Sequence, residues 1–272
     1  MTKITIGQYY PANSVLHNTD ARIKLIGTFA HITALLLVNS FIGYGIAAIY
    51  VAIIIKLSKV PPRLIFRGLR TILFMLTFAL IINLFLAPGE NTLFRLGILR
   101  ITEEGLILGA KMALRLTLLV IGTSILTLTT SPIKLTDGIE ALLKPLKMIK
   151  VPAHDIAMMM TIVLRFIPTL ADEMAKIIRA QKARGANFDT GGIRKRAKNL
   201  LPILVPLFVS AFKRADELAT AMEARCYRGD TNRTKLKEMK MTPKDWIALG
   251  AIIIATVIII LTRYTTIFLQ YL

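Results

Sequence analysis

The 272-residue chain has a single cysteine, Cys226, which excludes an intramolecular disulfide. Aromatic residues make up only 7%, with one tryptophan. Acidic residues are scarce as well: 16 Asp and Glu face 35 Lys and Arg, a net charge of +19. No Gly-x-x-x-x-Gly-Lys-Ser/Thr loop occurs, so any nucleotide hydrolysis has to come from another chain. His17, His31 and His154 are scattered, without a second His or a carboxylate at metal-binding spacing. Neither Ser nor Cys has a plausible base nearby in sequence. The first twenty residues carry Gln8, Pro11, Asn13, Ser14, Asn18 and Asp20 in place of an apolar core, which reads as no cleavable signal peptide.

What is plentiful is apolar sequence, 54% of the chain, and it comes in blocks. Nearly charge-free stretches run over roughly 23–38, 41–55, 71–87, 112–130 and 246–261. A membrane-spanning helix needs about 20 mostly apolar residues, with about 17 as the lower end. The first two blocks are short and are parted by Asn39-Ser40. They read as two spans joined by a tight turn, or as one re-entrant element. The basic balance suits nucleic acid or an anionic membrane surface, and the apolar blocks favour the membrane. Lys56, Lys59, Arg63, Arg67 and Arg70 share one connection, and well over half of the Lys and Arg residues lie between Ser131 and Thr242. With both regions inside, the positive-inside rule threads the chain N-terminus in, five spans, C-terminus out. Lys111 and Arg115, at the outer end of the fourth span, then read as snorkelling or pairing toward Glu103 and Glu104.

The stretch from 131 to 243 differs from both sides. Ser131-Pro132 is a helix start, because proline lacks the N–H that would be unsatisfied there. Two long segments follow, roughly 153–185 and 193–226, with Pro168 in one and Pro202 and Pro206 in the other expected to kink or break them. Their second halves are amphipathic. Phe208, Ala211, Phe212, Ala215, Leu218, Ala219 and Met222 form one stripe. Leu170, Ala171, Met174, Ile177 and Ile178 form the other, with Asp172, Glu173, Lys176 and Arg179 opposite. The fold class is therefore an all-α membrane protein: about five transmembrane helices plus three cytoplasmic or interfacial amphipathic helices.

The two amphipathic helices end alike. One closes Ala180-Gln181-Lys182-Ala183-Arg184-Gly185 and the other Ala221-Met222-Glu223-Ala224-Arg225-Cys226. Alanines three apart share a face and let another surface approach. The arginine then offers a planar, permanently charged fork suited to a carboxylate. Cations also complement a helix C-terminus by themselves. A pair of matched ends on consecutive helices points instead to two equivalent docking tips.

These residues resemble a known family, the transmembrane T component (EcfT) of energy-coupling factor (ECF) transporters, over most of the chain. The resemblance is carried by Ile4–Tyr9, Asp20–Leu25, Ile101–Gly105 and Thr129–Pro132. Leu164-Arg165-Phe166-Ile167-Pro168, Ala180–Phe188 and Arg214–Gly229 complete it. It implies three regions: a four-span membrane block (1–130), a cytoplasmic coupling-helix module (131–243) and a final span (244–272). It further implies a non-catalytic subunit without a cofactor, since partner subunits bind and hydrolyse ATP. The partners implied are two cytoplasmic ATPase subunits and a membrane-embedded S component that binds a vitamin or other micronutrient. Ala183, Arg184, Gly185, Ala224, Arg225 and Cys226 are the implied ATPase-coupling residues. Cys226 departs from the family's usual glycine, and a small residue in ordinary backbone geometry is the favoured explanation. A self-contained membrane enzyme or secondary transporter is the alternative, and it requires ionisable residues deep in the spans. A membrane-tethered nucleic-acid binder fits poorly with the interleaved carboxylates of the amphipathic helices.

Overall fold

A computed structural model describes residues 9–86, 92–96, 99–149, 152–186, 192–229 and 241–270. Ile4–Gln8 and the link over 187–191 lie outside them. The architecture is helical, as the apolar blocks require: α1 (Val15–Asn18), α2 (Ala21–Leu37), α3 (Phe41–Ser58), α4 (Pro62–Leu86), α5 (Glu103–Thr129), α6 (Pro132–Leu143), α7 (Ala153–Ala183), α8 (Ile193–Ala224) and α9 (Pro243–Gln270). A 3₁₀ turn over Lys144–Ile149 follows α6. One element was not foreseen. The expected loop between α4 and α5 contains an antiparallel strand pair, β1 (Thr92–Leu96) with β2 (Leu99–Thr102).

Phe41–Ser58, Glu103–Thr129, His154–Ala183 and Pro243–Arg263 are long and apolar enough to cross a membrane. The α4 helix, bent by 55° between Pro62–Arg70 and Leu73–Leu84, can supply a fifth span. The α2 helix has 17 residues, the lower limit for crossing. Spans and amphipathic helices thus overlap at α7, whose first half is as apolar as a span. The basic connection ahead of the third block is mostly helix: Lys56 lies in the last turn of α3, Lys59 caps it at φ 54°, and Arg63, Arg67 and Arg70 ride on α4.

The chain divides into two compact units, Gly7–Ile139 with Glu238–Leu272, and Met1–Ile6 with Glu140–Lys237. In the first unit α2, α3, α5 and α9 surround a core of Ala34, Leu35, Tyr44, Ala47, Val51, Leu118, Ile125 and Ile259. Outward-facing side chains such as Phe74, Phe78, Ile42 and Ile254 are large, apolar and exposed, which suits lipid contact. Between apolar tails helices gain little from hydrophobicity, so close packing of small residues brings them together. Gly105 and Gly109 supply that on α5: a Cβ at Gly105 would lie 3.0 Å from the Asn83 carbonyl oxygen of α4.

Polar groups fasten the helix ends. Asp20 caps α2 through the Arg22 amide and pairs with the Arg22 guanidinium at 2.7 Å. Buried Asp245 accepts from the Asp20 amide at 2.9 Å and from the Thr242 amide and hydroxyl, tying the starts of α2 and α9 together. The His17 Nε2 donates to the Tyr10 carbonyl, which can only accept, so its Nδ1 accepts from Ser14. Burial keeps the His17 pKa below its ordinary value, in keeping with that neutral ring.

The α2–α3 connection is a short turn between two separate helices. Arg115 of α5 holds it. Its guanidinium donates to the Val38 carbonyl at 2.8 Å, to Asn39 Oδ1 at 2.8 Å and to the Tyr44 hydroxyl at 3.0 Å. The Tyr44 hydroxyl in turn donates to the Val38 carbonyl at 2.9 Å. Lys111 sits over the Phe41 ring at 5.4 Å. These contacts stand in place of the expected pairing with Glu103 and Glu104. The Val38 carbonyl at the end of α2 has no intrahelical partner, and Arg115 and Tyr44 both donate to it.

Candidate functional site: two matched helix ends

In the second unit α7 and α8 pack on one another. Both run through their prolines as uninterrupted helices, so Pro168, Pro202 and Pro206 do not break them. Between them Glu173 accepts from the Ser210 hydroxyl at 2.5 Å and from the Arg214 guanidinium at 3.1 Å. Periodicity puts Glu173 on the polar face of its helix, away from the packing stripe. The signal that could have found the pair is register: Glu173 precedes Arg184 by 184 − 173 = 11 residues, and Arg214 precedes Arg225 by 225 − 214 = 11 residues. Eleven residues are about three helical turns, or roughly 16 Å. The two tips therefore extend equally far past a shared clamp, with each arginine on the same side of its helix as its clamp residue.

The tips match in backbone detail as well. The α7 helix ends with Arg184 at φ −85°, ψ 9°, followed by Gly185 at φ 86°. The Gly185 amide donates to the Lys182 carbonyl at 3.0 Å and the Ala186 amide to the Gln181 carbonyl at 2.9 Å. The α8 helix ends with Arg225 at φ −91°, ψ 12°, followed by Cys226 at φ 55°. The Cys226 amide donates to the Glu223 carbonyl at 2.8 Å and the Tyr227 amide to the Met222 carbonyl at 3.0 Å. Both are Schellman caps, in which a left-handed residue swings the chain back so that its last carbonyls are satisfied.

The expectation of ordinary geometry at position 226 is thereby overturned. The left-handed residue is part of the cap, and Cys226 occupies it at a steric cost that glycine avoids. Ala183, Arg184, Gly185, Ala224, Arg225 and Cys226 are all exposed. Each cap turns the chain away just past the arginine, so the fork stands at the very end of the rod with a small residue beside it. Such a tip can enter a groove lined by carboxylates.

The chain matches the family described as Cobalt transport protein (CbiQ) over residues 12–236. It is 52% identical to the energy-coupling factor transporter transmembrane protein EcfT of Ruminiclostridium cellulolyticum, over 96% of this chain and 97% of the relative. Against EcfT of Clostridium kluyveri the identity is 52%, with the same coverage. Against EcfT of Bacillus subtilis it is 40%, over 97% of this chain and 99% of the relative. With its helical membrane architecture and matched helix ends, the chain belongs to the EcfT family of energy-coupling factor transporter transmembrane proteins.

Proposed function

We propose that this chain is the non-catalytic coupling subunit of an ATP-driven micronutrient uptake complex. Two cytoplasmic ATPase subunits bind and hydrolyse the ATP, and each receives one tip, at Arg184 or at Arg225. Their closure moves α7 and α8, and the movement reorients a membrane-embedded S component that binds the cargo. The observation that carries this reading is the pair of equivalent exposed arginine tips, set at one distance from a common clamp. Arginine suits the contact, because a bidentate charge-assisted pair keeps its geometry under load better than an apolar one. Lys24 of α2 and Arg115 of α5 each bond to a backbone carbonyl, so these two cations are taken up by the fold rather than offered to a transported ion.

In this reading the N-terminus and the module of residues 131–243 face the cytoplasm and the C-terminus faces out. Arg184→Glu combined with Arg225→Glu abolishes uptake and weakens co-purification of the ATPase subunits, while membrane insertion persists. Normal uptake by the double variant would sink the proposal.

A further inference from the structure

Between Asp20 and Glu90 the sequence contains no Asp or Glu at all. Five cations crowd the stretch from 56 to 70 within that interval: Lys56, Lys59, Arg63, Arg67 and Arg70. All five are exposed, and none has a side-chain partner among the described residues.

The three arginines stand at i, i+4 and i+7 on the first part of α4, which gathers them on one face within about 60°. The opposite face is already used. Ile65 is 2% exposed and packs with Val60 and Leu128. The helix is therefore seated by its apolar side, and its guanidinium side is left open. Phe66, 60% exposed, flanks the arginines. A helix of spanning length ends at Ser58, just ahead of this segment. Just past Arg70, α4 bends by 55° into the apolar run Leu73–Leu84. Cations bracketed by two spans lie at the depth of the lipid headgroups. Leu73, Phe74 and Met75 are exposed beyond the bend, so apolar surface for acyl chains begins within a turn of Arg70.

Like charges four apart on a helix repel, and no carboxylate of this segment offsets them. The anion has to come from outside. One guanidinium fork can take both charge-bearing oxygens of a phosphodiester. Three forks spread over two turns, about 10 Å, exceed what a single phosphate can use. A soluble anion would also leave Phe66 and the neighbouring apolar surface uncovered.

We propose that this face of α4 binds an anionic phospholipid carrying two phosphates in one headgroup. Arg63, Arg67 and Arg70 hold the phosphates, and the acyl chains lie along the apolar surface past the bend. The site does not depend on the coupling role of the helix tips. In the test, the full chain in detergent is offered tetraoleoyl cardiolipin, dioleoyl phosphatidylglycerol at equal phosphate, and dioleoyl phosphatidylcholine. Native mass spectrometry reads the lipid retained. Cardiolipin is expected to be retained at least about tenfold over phosphatidylcholine, and above phosphatidylglycerol. Arg67→Gln lowers the preference about fivefold, the value of one basic residue at an anionic surface. Adding Arg63→Gln and Arg70→Gln abolishes it, and if that triple variant fails to insert, Arg67→Gln decides alone. Arg194→Gln with Lys195→Gln and Arg196→Gln removes the same charge elsewhere and keeps the preference. The proposal is overturned by cardiolipin retention no better than that of either other lipid, or by an unmoved preference in Arg67→Gln. An equal loss in the 194–196 variant, or displacement of the lipid by inorganic pyrophosphate, would overturn it as well.

Discussion

Cys226 holds a backbone conformation that costs an L-residue with a side chain roughly 1–2 kcal/mol, whereas glycine visits it freely. Glycine gives back part of that gain through its larger entropy when unfolded. Cys226→Gly is therefore expected to steady the α8 end by about 1 kcal/mol, and Gly185→Ala to loosen the α7 end by a similar amount. Hydrogen exchange at the Tyr227 and Ala186 amides, which close the two caps, checks both changes. A second residue-scale test concerns the α2–α3 turn. Hydrogen bonds from a charged donor are worth about 1.5–3 kcal/mol, whereas an exposed cation over a ring gives about 0.5–1 kcal/mol. Arg115→Met should thus lower thermal stability in detergent by at least about 2 kcal/mol, and Lys111→Met by less than half of that.

At the scale of elements, the clamp between α7 and α8 is half exposed, with side chains 26% accessible at Glu173 and 37% at Arg214. A pair so hydrated contributes little, so it sets register more than it supplies strength. A double-mutant cycle on Glu173→Ala and Arg214→Ala should return a small favourable coupling, together with a loss of uptake larger than the stability change explains. Coupling near zero with full uptake would remove the clamp from the mechanism. Helix limits were legible in the sequence because caps and prolines mark them locally: Pro132 opens α6, and Ala-Arg closes α7 and α8. The fate of Arg115 was not legible, because its partners lie more than 70 residues away and no local pattern records them. The left-handed backbone at Cys226 was hidden for a different reason, since its side chain argued against the geometry that the cap demands.

At the scale of the whole molecule, α7 carries the test of sidedness. If α7 crossed the bilayer, its two ends would face opposite solutions. In a Cys226→Ser chain, single cysteines at Asp155, Lys182 and Leu272 can be challenged with an impermeant maleimide on intact cells. Labelling is expected only at Leu272, with Asp155 and Lys182 reacting after the cells are opened. Labelling of Asp155 and Lys182 from opposite sides would instead make α7 a span. The unaltered chain offers something further. Its lone thiol is exposed, and it sits at one of two otherwise matched ends. A spin label or fluorophore attached there marks the α8 tip and leaves the α7 tip bare. The wild-type chain thus carries its own reporter, able to show whether the two ends are engaged together or in turn during a transport cycle.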